Sequence, residues 1–381
     1  MIMSEIPYWI GLTQLKGWNI EKINKLIISV LHENKLSLEE FFNLSITEWS
    51  EKFLLQGNDI VALLNLKIEI PNFSFLTEEL LLQGFEIITI NSEDYSATLK
   101  SNLKLKHSPP VLYVKGNKKI LNEKSIAIVG SRNASEVSLK FTDNIAKMAS
   151  EQFKVVVSGF AKGVDRQALD SAIKYIGHSV IVLPQGVLTF ASGIRQYYNE
   201  IVRGDLLVLS TFFPKAPWSV QLAMARNPII YGLADEIYVA QSDEKGGTWA
   251  GVTDGLRKDR TIYVRYPERG ELNANLKLIQ KGAKAVDFDG NLIEEPLKDV
   301  APADKDEEIK TRVYDLLKDK ELSSVEIIKR TNIEWSARKM TDFLKSLNDI
   351  KTIKGKPIKF RYKFSEEPQL FVSEPQEIYE K

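Results

Sequence analysis

The chain has no cysteine in 381 residues and only three histidines, His32, His107 and His178, which stand far apart. The first absence excludes disulfides, thiolate metal sites and cysteine nucleophiles. The second leaves too few ligands for a zinc centre, so no metal and no cofactor is expected. A net charge is also missing: 51 Lys and Arg balance 51 Asp and Glu. Attraction to a polyanion must therefore come from local clusters of cations rather than from the field of the whole chain. The N-terminus, MIMSEIPYWIGLTQLKGW, lacks a basic stretch ahead of an apolar core, and no stretch approaches 18 uncharged apolar residues. Neither a secretory leader nor a membrane span is expected, and the reading is of a soluble, cytoplasmic protein without a membrane partner.

The chemistry-bearing stretch runs from Ser125 to Gly163, SIAIVGSRNASEVSLKFTDNIAKMASEQFKVVVSGFAKG. It reads as a buried strand (126–129), a glycine turn with a cation (Gly130, Ser131, Arg132), an amphipathic helix, a second buried strand (155–157) and a second glycine turn at Gly159. Val137, Phe141, Ile145 and Met148 recur at helical spacing, and Asn133 with Glu136 predicts a capping box at the helix start. Glycine turns and helix N-termini at one end of a parallel sheet bring backbone amides close to an anion, so phosphate is the expected ligand. The G-x-G-x-x-G fingerprint of dinucleotide folds is absent.

Length allows two or three domains. Residues 1–83 read as a helical module: Ile23, Leu26, Ile27 and Val30 share a face, while Phe53, Ile60, Leu63 and Leu64 predict later helices. Pro7, Gly17, Gly57 and Pro71 read as breaks, and Tyr8, Trp9 and Trp18 as packing residues. Residues 84–298 alternate strands with helices, which predicts an α/β, Rossmann-like, doubly wound and mostly parallel sheet. Strands at 85–90 and 111–114 extend its edge; others are expected at 180–183, 206–209, 236–240, 261–264 and 284–286, with a helix at 165–175. Residues 299–308 read as a charged linker, 309–371 as a winged helix of three helices and a two-stranded ribbon, and 372–381 as a tail.

Four turns at strand ends offer amides, hydroxyls or cations to one crevice: 130–132, 158–163, 184–186 and 245–248. Their candidate phosphate contacts are Gly130, Ser131, Arg132, Ser158, Gly159, Lys162, Gly163, Gly186, Gly246, Gly247 and Thr248. Singly, each has a structural explanation; a cap, a turn closure or close packing would suffice. In the ribbon at 350–364, Lys354, Lys356, Lys359 and Arg361 are candidate wing contacts, although lysine also protects an exposed edge strand. Phe360, Tyr362 and Phe364 alternate, which points them to the core.

The strings IAIVGSR (126–132), VSGFAKGVD (157–165) and ARNPIIYGLA (225–234), with PPVLYVKG (109–116) upstream, resemble the DprA/Smf family, the DNA-processing proteins of bacterial natural transformation. The likeness covers roughly residues 84–283. It implies a single-stranded DNA pocket at Arg132, Ser158, Gly159, Lys162, Asp165, Arg226 and Asn227. It further implies a homodimer that hands the strand to a RecA-type recombinase, with no catalysis. The chain departs from the family pattern at Leu169, where a histidine is usual, and at Pro228, where an arginine follows Arg226-Asn227. It departs also at Gly246-Gly247-Thr248, in place of Ser-Gly-Ser, and lacks a tyrosine-proline after Gly186. These changes remove positive charge. Two other readings stand beside it: a phosphoribohydrolase-like enzyme, which would carry a glutamate where Trp249-Ala250-Gly251 follows Thr248, and a nucleotide or phage-defence sensor with the winged helix as its output.

Overall fold

The computed structural model describes residues 5–268, 270, 271, 273–294, 305–318, 320–331, 333, 335–355 and 357–362. Two compact units divide the chain at Leu297 and Lys298. In the first, helices α1 (Ile6–Leu12), α2 (Ile20–Ile28), α3 (Leu38–Asn43), α4 (Ile46–Phe53) and α5 (Asn58–Leu82) precede any strand. Asn19, Ser37 and Ser45 each cap the helix that follows, and Glu40 and Glu48 close capping boxes at α3 and α4. Trp9 is buried, with Tyr8 and Trp18 half-buried against the same core, so the aromatic residues serve packing.

Helix α5 corrects the sequence reading at one point. Pro71, expected as a break, lies inside it, because a proline there forfeits one backbone bond while Leu63, Leu66, Leu76 and Leu80 hold the helix in the core. An 18-residue window of α5, with a mean hydropathy of 1.3, is long and apolar enough to cross a membrane by length and composition alone, although Lys67 and Glu69 interrupt the helix, so it holds no run of 18 uncharged apolar residues. Only 22% of that window is buried.

Nine strands form one sheet: β1 (Glu86–Thr89), β2 (Val111–Lys115), β3 (Ser125–Gly130), β4 (Val155–Ser158), β5 (Ser179–Val182), β6 (Leu206–Ser210), β7 (Glu236–Gln241), β8 (Ile262–Arg265) and β9 (Lys284–Val286). Their order is β1-β2-β6-β5-β4-β3-β7-β8-β9. From β6 to β9 all neighbours are parallel, while β1 and β2 add an antiparallel edge. The helices between them are α6 (Ala97–His107), α7 (Glu136–Glu151), α8 (Val164–Lys174), α9 (Ala191–Gln196), α10 (Tyr198–Arg203), α11 (Val220–Leu233), α12 (Gly247–Arg257) and α13 (Asn275–Gln280). This is the α/β, mostly parallel architecture expected, and the strand bounds agree within about one residue. Central strands buried on both faces read as unbroken apolar runs, which is why they were legible.

The chain moves outward from β3 to β6, then returns to the other side of β3 for β7. Ligand crevices in such sheets open at the carboxyl end of that reversal.

In the second unit, α14 (Lys305–Leu317), α15 (Ser324–Thr331) and α16 (Ala337–Ser346) pack over a sheet of β10 (Leu322–Ser323), β12 (Lys359–Tyr362) and β11 (Ile350–Ile353), in that order. The short β10 makes a three-stranded sheet where two strands were expected. Val313, Leu317, Ile327, Met340, Leu344 and Phe360 form its core. Phe360 is buried, as its alternation required. Lys354, Lys359 and Arg361 are exposed, whereas Lys356, Phe364, the tail and most of the expected linker lie outside the described residues.

Candidate nucleic-acid interface

The four turns follow β5, β4, β3 and β7, which are consecutive neighbours in the sheet. They form one continuous rim. Its surface is shaped by close approach of backbone to backbone. Gly163 has a φ of +85°, and a Cβ there would lie 2.5 Å from the Ser131 carbonyl oxygen. The β4 turn thus rests on the β3 turn, and the Val164 amide donates to Ser131 O. Gly246 has a φ of +96° and opens α12. Neither α8 nor α12 carries a side-chain cap; in α8 the Val164 and Arg166 amides are already taken by the Ser131 and Ala161 carbonyls.

Arg226 comes from α11 and is 3% exposed. Its Nη1 donates to the Val182 carbonyl at 3.1 Å and stands 3.8 Å from Asp165 Oδ2, while its buried Nε has no partner among the described residues. A guanidinium carries five donors and stays protonated, so most of this cation's hydrogen-bonding capacity is unspent. Burial pushes the Asp165 carboxyl above its ordinary range; Arg226, the Ala161 amide, Arg132 and the Gly159 amide oppose that only in part. Burial likewise depresses Arg226, with Asp165 acting against it.

Two clefts of about 380 Å³ each meet at Arg132 and Arg226. The first is lined by Gly130, Ser131, Asn227, Lys245, Gly246 and Thr248 among others, and also by Gly247 and Asp165. The second holds Gly159, Lys162, Gln185, Phe160, Phe190 and Trp218. Arg132 and Lys162 are exposed. One end of the rim is therefore amide-rich and the other aromatic.

Some expected contacts have other duties. Ser158 is buried and its hydroxyl donates to Ile128 O at 3.2 Å. The Gly186 amide donates to Ala216 O at 2.9 Å, and a Cβ at Gly186 would lie 2.2 Å from the carbonyl oxygens of Phe213 and Pro214. Ser158, Gly163 and Gly186 line neither cleft; they support the rim from behind. The helix after β3 is capped by Ser135, which accepts from the Ser138 amide, not by Asn133, whose own amide is turned back to Ser131 Oγ.

Several lining residues were not among the expected contacts. Trp218 is half exposed in the second cleft, and Phe160, at φ +63°, packs edge-on against Phe190 with its ring centroid 4.9 Å away. A bulky residue in the left-handed region is strained, and such strain concentrates at functional sites. Tyr231 is buried beneath the first cleft, and Asp243 places a carboxylate on its wall. Leu169 is buried in the core, so the missing family histidine is replaced by packing. Pro228 faces a third cleft of about 220 Å³ behind Asn227.

The sequence model of the family described as DNA recombination-mediator protein A matches residues 86–296, the whole sheet and its rim. The chain belongs to that family. Among curated relatives, DNA processing protein DprA of Bacillus subtilis is 28% identical over 207 residues, covering 54% of this chain and 69% of the relative. DNA processing protein DprA of Streptococcus pneumoniae is 30% identical over 185 residues, covering 47% of this chain and 64% of the relative. The crystal structure of the latter organism's DprA aligns with a TM-score of 0.61 and 24% identity over 75% of this chain and 95% of that one. That likeness concerns the fold.

Proposed function

We propose that the rim binds single-stranded DNA through its phosphates and works by positioning, with no bond made or broken. The observation that supports this most is the place of Arg132 and Arg226 on the wall common to both clefts, with Lys245 in one and Lys162 in the other. A strand passing between the clefts meets both guanidiniums, the groups best shaped for phosphate oxygens. The aromatic end suits an unpaired base. The names of the relatives, DNA processing proteins, favour a nucleic-acid ligand.

In this reading the protein is a cytoplasmic homodimer that protects single strands and passes them to a RecA-type recombinase in recombination or natural transformation. The C-terminal unit, with its winged-helix order of elements, adds Lys354, Lys359 and Arg361 as a second contact. An electrophoretic series with matched single- and double-stranded oligonucleotides tests the core of it. Preference for the single strand is expected; equal binding or none overturns it. Recombinase transfer is tested by filament formation on protein-coated strands.

A second reading, a mononucleotide sensor, is favoured by Asp165 and Asp243 in the first cleft, since two carboxylates repel a long polyanion more than a small ligand. Thermal shifts larger with mononucleotides than with oligonucleotides would select it.

A further inference from the structure

The third cleft, of about 220 Å³, is lined by residues of α6, α11 and α12. It is smaller than the roughly 300–1,000 Å³ that drug-sized ligands fill, and has room for one flat ring system. Leu103, Pro228, Tyr231, Ala250 and Gly251 give it apolar walls. Its charges are already engaged. Lys258 Nζ pairs with Asp254 Oδ2 at 2.7 Å, and Arg260 donates to the Ala234 carbonyl, with burial pulling its pKa below the ordinary range. The cleft is thus set for a neutral ring rather than a phosphate.

Polar groups of the lining are left for that ring. The Asn227 side chain makes no hydrogen bond among the described residues. Asn102 spends its Nδ2 on the carbonyls of Gly232 and Ala234, and its Oδ1 accepts nothing among the described residues. Pro228 lies inside α11 and has no amide, so the Met224 carbonyl one turn back has lost its helical donor. Acceptors therefore outnumber donors: Asn102 Oδ1, Asn227 Oδ1 and the Met224 carbonyl stand against Asn227 Nδ2. A ring that matches carries an exocyclic amine beside a ring nitrogen that accepts. Adenine has that edge at N6 and N7, and an asparagine amide is the group that reads it with two hydrogen bonds.

The cleft adjoins the site described above. Met224, Asn227, Tyr231 and Gly247 line both it and the first cleft. The wall between them is thin, since a Cβ on Gly247 would lie 2.7 Å from Asn227 Nδ2. A phosphate held in the first cleft beside Arg132 leaves its own base free to turn behind Asn227. We propose that the third cleft is an adenine pocket, taking the base of a nucleotide whose phosphate sits on the rim, either within a strand or free. It rests on the reading of the rim only for the place of that phosphate.

Strands of about nine thymidines with the central nucleotide varied test it. By fluorescence anisotropy at one salt concentration, a central adenine binds about tenfold tighter than a central thymine. A central unsubstituted purine, which lacks the amine, falls back to the thymine value. Ala250→Phe fills the cleft from an exposed position on α12, and Pro228→Ala returns an amide to the Met224 carbonyl. Each variant cuts the adenine preference to about twofold or less and leaves affinity for the all-thymidine strand unchanged. Adenosine, which has no phosphate for the rim to hold, raises the melting temperature of the wild type at millimolar concentration and not that of Ala250→Phe. Equal affinity for central adenine and thymine together with no adenosine shift overturns the proposal. So does a purine that binds as adenine does, or a preference or shift that survives either variant. A preference within the strand assigns the pocket to DNA, and an adenosine shift without one assigns it to a free nucleotide. If the reading of the rim fails instead, no strand binds and the adenosine shift remains.

Discussion

A Cβ built on Gly159 falls 1.4 Å from Nη1 of Arg226 and 2.5 Å from Oδ2 of Asp165. The guanidinium occupies the volume that any side chain at 159 would need. Gly159→Ala must therefore expel Arg226 and break its bond to Val182 O. Stability falls by about 1–3 kcal/mol, read by urea unfolding, because a buried donor set is left unpaired. Oligonucleotide affinity falls about tenfold or more, the equivalent of roughly 1.4 kcal/mol. In the double variant with Arg226→Met the binding losses do not add, since both act on one group. Full additivity would show that Gly159 contributes to binding on its own.

Arg132 and Lys162 are exposed cations of the rim, as is Lys245. If each neutralises one phosphate, Arg132→Ala and Lys162→Ala each flatten the dependence of log affinity on log salt by about 0.7, the increment for single strands. The pair flattens it by about twice that. Titrations by fluorescence anisotropy at several salt concentrations measure the slope. Lower affinity with an unchanged slope would assign these side chains to holding the rim in shape.

Trp218 should behave in the opposite way. It stands 52% exposed beside Phe160 and Phe190, where a base can stack. Trp218→Ala weakens oligonucleotide binding by about 1–3 kcal/mol and leaves the salt slope untouched. Trp218→Phe recovers most of the loss. An abasic oligonucleotide that binds the wild type as well as the intact one would remove the base from the cleft.

The sheet was legible because β3 to β9 are short apolar runs closed by glycine or polar turns, and burial on both faces leaves no other use for such runs. What sequence could not resolve was how donors are spent between elements far apart in the chain. Asn133 and Ser135 are both acceptable caps, and the choice falls to Ser135, whose amide is held by the Gln241 side chain from β7. Ser158 and Gly186 look like phosphate donors until Ile128 and Ala216 are found to accept from them. Trp218 and Asp243 have no spacing signal at all, since only the fold brings them to the rim, and Phe160, inside the 158–163 turn, was passed over because the turn was read for its amides, hydroxyls and cations. Pro71 misled for a different reason: an apolar face on both sides of it outweighs one lost backbone bond.

Asp165 gives the site a pH dependence of definite sign. Its folded pKa lies above the ordinary 3.8, chiefly through burial, so the folded state binds its proton more tightly than the unfolded chain does. The stability contributed by this group therefore falls as pH rises from 3.8 through the raised value. Binding follows the same window by a different route. The ionised carboxylate stands 3.8 Å from Arg226 and offsets the cation that a phosphate needs. Acidification through the raised pKa removes that charge and strengthens oligonucleotide binding. Asp165→Asn binds several-fold more tightly at pH 7 and loses the pH dependence, with anisotropy at constant ionic strength as the measurement. Weaker binding by Asp165→Asn at every pH would mean that the carboxylate serves to orient Arg226, and that its charge is a requirement of the site and not a brake on it.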